Sequence, residues 1–115
     1  MMASVRPALY QISFYVPASH LEPVKQALFA AGAGHFAGYD QCAWQILGDG
    51  QFRPLNGSQP YAGHIGQLSV QAEYKVEMIC LQAYLQPALK ALLATHPYEQ
   101  PAYGVQKLLT IDNFE

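Results

Sequence analysis

The residues best suited to chemistry lie in one short segment, ATHPYEQPAY, at positions 94–103. His96 and Glu99 are ligand types for Zn or Cu, and they are close enough in the chain to face the same space. Pro97 and Pro101 each fix one φ angle, so the same segment is equally suited to a stiff connection between a helix and a strand. The residues alone leave both interpretations open, a metal or ligand site and a structural connector.

The other metal-ligand types are dispersed along the chain: His20, His35, Asp40, Cys42, His64 and Cys80. Their separations match no local ligand motif. We select Cys42 as a third metal ligand beside His96 and Glu99, since imidazole and thiolate favour borderline-soft ions. The sequence requires no cofactor, and Zn or Cu are the ions that this set would select.

Several tyrosines lie in or beside segments rich in glycine and proline, namely Tyr39, Tyr61, Tyr98 and Tyr103. Such tyrosines either line a pocket or form a subunit contact, and we predict Tyr98, Tyr103 and Tyr39 as ligand-binding residues. The aromatic residues on regular elements have a simpler expected role, because large rings supply buried area to a small core. This second group consists of Tyr10, Phe14, Trp44, Tyr74 and Tyr84.

Motifs of common enzyme classes are not found. The glycine cluster GAGHFAG at 32–38 follows a predicted helix, whereas a dinucleotide fingerprint needs a strand before the glycines and a helix after them. We interpret the cluster as a helix end and a turn. There is no P-loop, G-x-S-x-G or C-x-x-C motif, so we predict no enzymatic activity. A small enzyme would need a carboxylate and a histidine converging in one pocket.

The first half of the chain predicts a strand, a helix and a second strand. Alternation over 9–16 predicts the first strand. Ser19 with Glu22 has the spacing of a capping box, and Gly32 supplies the helix stop. Cys42, Trp44 and Ile46 alternate with their neighbours in the next strand, while GDG at 48–50 predicts a tight turn and Phe52 a short return strand. Residues from about 50 to 66 form an excursion from the main sheet.

The second half repeats the pattern. Alternation from Glu73 to Cys80 predicts a strand, and the leucines after it have helical spacing until Pro97. A last strand is predicted over 103–111. The order gives an α+β fold of the ferredoxin-like type, βαββαβ, in which two helices cover one face of an antiparallel sheet. We predict a single domain over 1–115.

Composition limits the partners. With 51% hydrophobic and 12% charged residues, the surface is thinly charged for a monomer, so we predict a homo-oligomer in which a partner covers the second face of the sheet. A net charge of −2 gives no field for nucleic acid. We find no signal peptide and no membrane-length apolar run, and we predict a cytoplasmic protein with reduced cysteines.

The segment HPYEQPAY resembles the HPYE segment of the CutA-like proteins, a trimeric ferredoxin-like group associated with tolerance of divalent cations. The run from ALFAAGAG to YAGHIG, together with YKVEMIC and HPYEQPAYGV, resembles more closely the PII/CutA-like insert domain of the Nif-three-like proteins. The resemblance covers 10–108 and implies association through the sheet, with a trimer favoured over a dimer. It does not import the dinuclear metal centre of the larger proteins, which belongs to other domains.

Two positions depart from the pattern of that family. Gln100 stands where a glutamate is common, and Gly104 where an aspartate is common. The loss of two carboxylates weakens a hard-cation site around His96 but matters less for Zn or Cu. We therefore predict a non-enzymatic PII/CutA-like oligomer that binds a divalent metal or a small ligand in a regulatory or homeostatic role. The alternative is a structural or protein-interaction module without a ligand.

Overall fold

The computed structural model describes residues 8–114, which form a four-stranded antiparallel sheet with two helices. The sheet has the order β2-β3-β1-β4. Its elements are β1 (Leu9–Pro17), α1 (Leu21–Ala30), β2 (Trp44–Phe52), β3 (Ser69–Leu81), α2 (Gln82–Thr95) and β4 (Tyr103–Leu108), with 3₁₀ turns at Ala18–His20 and Ile111–Phe114. The predicted α+β, ferredoxin-like βαββαβ fold is confirmed.

The core lies between the helices and one face of the two central strands. The inward positions of β1 and β3 alternate with outward ones, as expected for strands that bury one face. The core residues are Ile12, Phe14, Val16, Val76, Met78 and Cys80 from the strands, and Leu21, Val24, Leu28, Ala88 and Leu92 from the helices. Full burial of each large side chain contributes about 1.5–3 kcal/mol, so this face fixes where both helices sit.

The opposite side of the sheet, called here the uncovered face, carries the alternate residues of the strands. Strand register places Tyr15 opposite Lys75, and Ser13 opposite Glu77. The same register places Ile46 of β2 opposite Lys75. Polar and apolar side chains are therefore mixed on a face that neither helix covers.

The N-terminus of α1 differs from the prediction. Ser19 lies in the 3₁₀ turn Ala18–His20, and the N-cap of α1 is His20, with no side-chain capping bond. The Ser19 hydroxyl lies 2.8 Å from His20 Nδ1. The predicted capping box is wrong because the 3₁₀ turn moves the start of the helix beyond Ser19. The stop at Gly32 is confirmed: its φ is +111°, and Ala33 N–H donates to Leu28 O at 3.0 Å.

The tight turn predicted at 48–50 is wrong. Strand β2 continues through these residues, with Gly48 paired to Glu73 and Gly50 to Gln71, and β3 begins at Ser69. A side chain at position 50 would overlap the Glu73 carboxylate where it now lies, so the glycine permits this position of Glu73 and does not form a turn. The excursion accordingly occupies 53–68, and Phe52 ends β2 instead of beginning a return strand. The last strand, predicted over 103–111, ends at Leu108, and the 3₁₀ turn Ile111–Phe114 comes two residues later.

Candidate functional site

His96 connects the end of α2 to the centre of the sheet. It caps the helix with an extended backbone, the geometry favoured before Pro97, and its side chain is only 7% exposed. Its Nε2 lies 2.6 Å from Tyr15 O, and Tyr98 N–H donates to its Nδ1 at 3.1 Å. Since Nδ1 accepts a hydrogen bond, Nε2 carries the proton and donates to Tyr15. Burial lowers the pKa of His96, although the bond to Tyr15 acts in the opposite direction.

Tyr98 connects the same segment to β3. Its hydroxyl donates to Glu73 Oε2 at 2.7 Å, and its ring centroid lies 6.2 Å from that of Phe52 and 5.9 Å from that of Tyr61. Burial raises the pKa of Tyr98, and the hydrogen bond to Glu73 raises it further, so the hydroxyl stays protonated as a donor. The absence of a side chain at Gly50 lets the Glu73 carboxylate lie across the sheet.

Glu99 connects the segment to the 53–68 loop, because its Oε1 accepts a hydrogen bond from Gln59 N–H at 2.8 Å. Residues 96–102, called here the HPYE segment, thus contact three separate parts of the molecule. His96 binds β1, Tyr98 binds β3 and Glu99 binds the loop. The connector interpretation accounts for each of these contacts.

The three residues predicted as metal ligands are engaged separately. Both ring nitrogens of His96 and one oxygen of Glu99 meet backbone groups, while the thiol of Cys42 lies 3.8 Å from Asp40 O in the loop before β2. Within residues 8–114, no group of three or more His, Cys, Asp or Glu side chains could hold a metal ion. Binding of Zn or Cu through His96, Glu99 and Cys42 stays a prediction.

A cavity of about 260 Å³ lies at the end of the uncovered face, between the HPYE segment and the 53–68 loop. Aromatic rings and carboxylates dominate its chemistry. Its lining includes the side chains of Tyr15, Phe52, Arg53, Tyr61, Glu73, Tyr98 and Glu99. Tyr98 and Glu99 were selected from the sequence, whereas Glu73 was missed because it reads only as an alternating strand residue. A glycine within a strand, Gly50, is the signal that could have pointed to it.

The other predicted ligand-binding tyrosines lie outside the lining of this cavity. Tyr39 is 73% exposed, and its backbone pairs with Phe36 in a turn before β2. Tyr103 opens β4, opposite Phe14 of β1. Ligand binding by these two residues stays a prediction.

The chain is similar to part of several longer bacterial proteins. It is 41% identical over 95 residues to the "GTP cyclohydrolase 1 type 2 homolog" of Mycobacterium leprae, covering 83% of this chain and 25% of that protein. A protein of the same name from Halalkalibacterium halodurans is 37% identical over 101 residues, which cover 88% of this chain and 27% of that protein. The chain therefore spans about a quarter of the length of these curated relatives. No family model matches the chain.

Solved structures of related and of more distant proteins share the fold of this chain. A Bacillus cereus protein described as related to NIF3 superposes with a TM-score of 0.79 at 33% identity, covering 91% of this chain and 27% of that one. CutA from Synechococcus elongatus superposes with a TM-score of 0.64 at 16% identity, covering 90% and 80%. The divalent ion tolerance protein CutA1 from Ehrlichia chaffeensis gives 0.63 at 13% identity, covering 92% and 86%. The CutA structures support the fold alone.

No helix within residues 8–114 is both long and apolar enough to cross a bilayer. Sequence similarity extends over more than four-fifths of the chain, and the fold matches both groups of structures. The chain has a CutA-like fold and is related in sequence to the Nif-three-like proteins, of whose length it spans about a quarter.

Proposed function

We propose that this chain is a non-enzymatic CutA-like domain that forms a homo-oligomer through its uncovered face, a trimer in preference to a dimer. The observation that carries the proposal is the exposure of large apolar side chains on β2. Trp44 is 54% exposed and Ile46 is 53% exposed, and both lie on the uncovered face. Trp44 was expected to pack within the chain, and a partner would provide that packing.

The position of β2 supports association. It is an edge strand, so its outer side presents backbone hydrogen-bonding groups that another chain can pair with. Polar groups flank the apolar ones: Lys75 Nζ lies 3.9 Å from Glu77 Oε2, and Gln11 donates to Glu77 at 2.8 Å. Apolar anchors beside satisfied polar groups are typical of protein interfaces.

The absence of enzymatic activity is a second part of the proposal. The activity that the name of the relatives mentions belongs to proteins of which this chain spans about a quarter. His96 is a poor general base here, because its Nδ1 accepts a backbone hydrogen bond and its Nε2 is bonded to Tyr15 O. A regulatory or homeostatic role in the cytoplasm, without nucleic acid as a partner, completes the proposal.

The test is the oligomeric state of matched variants, measured by native mass spectrometry and light scattering. Ile46→Glu places a charge on the uncovered face opposite Lys75, where a cross-strand ion pair preserves the monomer fold. Leu93→Glu is the control, since Leu93 is 49% exposed but belongs to α2. We expect a wild-type oligomer that Ile46→Glu dissociates and Leu93→Glu leaves intact.

A wild-type monomer at micromolar concentration, or an oligomer that survives Ile46→Glu with its circular dichroism unchanged, would contradict the proposal. Native mass spectrometry also tests metal binding when Zn or Cu is added to the protein. Stoichiometric added mass that His96→Ala removes would support a metal site at His96.

A further inference from the structure

The walls of the cavity at the end of the uncovered face are rich in aromatic rings. Tyr98 has the rings of Phe52 and Tyr61 within 6.2 and 5.9 Å, and Tyr15 contributes a fourth ring to the lining. The faces of such rings carry negative potential and attract cations. A volume of about 260 Å³ is near the lower end of ligand pockets, which suits a small molecule.

Two carboxylates face the same space, and each is fixed by a donor. Tyr98 O–H holds Oε2 of Glu73 and Gln59 N–H holds Oε1 of Glu99. These bonds use one oxygen of each carboxylate, so the second oxygen of each is not committed by them. The cavity therefore presents fixed negative groups beside aromatic surfaces.

The opposing charge in the lining is Arg53, which is exposed to solvent, as Glu99 is. Exposed charges are screened by salt more strongly than half-buried ones such as Glu73. An adjoining recess of about 130 Å³ shares Tyr15 and Glu73 and adds Asp49 and Lys75, one charge of each sign. With two carboxylates and one guanidinium, the cavity itself favours a positive ligand.

We propose that this cavity binds a small organic cation, whose ammonium group sits among the aromatic rings and faces Glu73 and Glu99. The rings exclude water from the apolar part of the ligand, and the carboxylates supply charge complementarity. The inference goes beyond the assembly proposed above, and all of these groups belong to one chain. Because Tyr15 and Glu73 lie on the uncovered face, it requires that the cavity stay open in the oligomer.

The experiment is a titration of the full chain followed by two-dimensional amide NMR and calorimetry. Choline is the probe, 3,3-dimethylbutan-1-ol is its neutral isostere, and benzoate is an anionic probe. We expect saturable choline binding with a Kd of about a millimolar, about tenfold tighter than the isostere, with shifts at the HPYE segment. Raising the salt concentration should weaken it.

Two variants locate the site. Glu73→Gln retains an acceptor for the Tyr98 hydroxyl but removes the charge, and we expect it to weaken choline binding about tenfold. Glu22→Gln is the matched control: Glu22 lies on α1 and pairs with Lys25 at 3.1 Å, so the same change should leave choline affinity unaltered.

Each remaining outcome would overturn the proposal. Equal binding of choline and its isostere would mean that charge plays no part. Tighter binding of benzoate would make Arg53 the dominant group. Lack of saturation at roughly 50 mM choline, or equal losses in Glu73→Gln and Glu22→Gln, would show that the cavity is no site for an organic cation.

Discussion

His96→Ala should strongly destabilise the fold, because His96 is a buried link between α2, β1 and the HPYE segment. Its removal leaves Tyr15 O and Tyr98 N–H without their partners. Each buried polar group left unsatisfied costs about 1–3 kcal/mol. Tyr15 and Tyr98 also line an open cavity, so water can reach this region, and we take the lower part of the range. The expected loss is about 3 kcal/mol in the free energy of unfolding.

Two conservative variants divide that loss between the two bonds. A glutamine amide can occupy the position of Nε2 and donate to Tyr15 O, whereas an asparagine oxygen can occupy the position of Nδ1 and accept from Tyr98 N–H. Each of His96→Gln and His96→Asn should therefore lose about half as much as His96→Ala, roughly 1–2 kcal/mol. The assay is urea unfolding followed by circular dichroism at one fixed protein concentration, since oligomers gain stability with concentration.

The same bonds predict a pH dependence. Burial lowers the pKa of His96 in the folded state, while the unfolded value is about 6.5. The unfolded chain therefore binds the proton more readily, so the contribution is complete above pH of about 6.5 and declines as pH falls towards the folded pKa. Protonated Nδ1 would also face the N–H of Tyr98. Wild type should lose stability as the pH falls below roughly 6.5, and His96→Gln should lose less.

A loss below about 0.5 kcal/mol in His96→Ala at pH 7.5, with an unchanged m-value, would refute this reasoning, because surface substitutions produce changes of that size. An identical pH slope in wild type and His96→Gln would refute the assignment of the titration to His96.

Two further predictions concern glycine packing and thiol burial. Gly50→Ala should cost about 1–2 kcal/mol in unfolding free energy, because the new methyl group displaces the Glu73 carboxylate from its hydrogen bond with Tyr98. Gly48→Ala, with nothing within 4 Å, should cost little, and equal losses would contradict this explanation. Cys80 is fully buried and burial raises its pKa, while Cys42 is partly exposed, so Ellman's reagent should modify one thiol of the native protein quickly. That signal should disappear in Cys42→Ser, and rapid native modification of Cys80 would show that the core opens.

The regular elements could be predicted because their patterns are local. Alternation in β1 and in the second half of β3, and helical spacing in α2, follow directly from burial of one face. The course of β2 could not be predicted, because local sequence rules interpret the glycines at 48 and 50 as a turn. The strand is instead set by pairing with β3 and by the Glu73 side chain that lies over Gly50.

Only part of the candidate site could be predicted, because only part of it is local in the sequence. His96, Tyr98 and Glu99 stand out by their types and by the prolines between them, but their partners are distant in the chain. Tyr15 is 81 residues from His96, and Glu73 is 25 residues from Tyr98. Only the strand register brings these partners to one end of the sheet, and local spacing contains no information about it.

The contacts of the HPYE segment also change the choice between a connector and a binding site. A segment that binds β1 through His96, β3 through Tyr98 and the 53–68 loop through Glu99 is a connector by its hydrogen bonds. The same three attachments hold the ring of Tyr98 and the carboxylates of Glu73 and Glu99 around one cavity. A preorganised site requires such restraint, because a ligand that had to order these groups itself would bind more weakly. Rigidity and ligand binding are therefore compatible uses of one segment, and the prolines that favour the first also support the second.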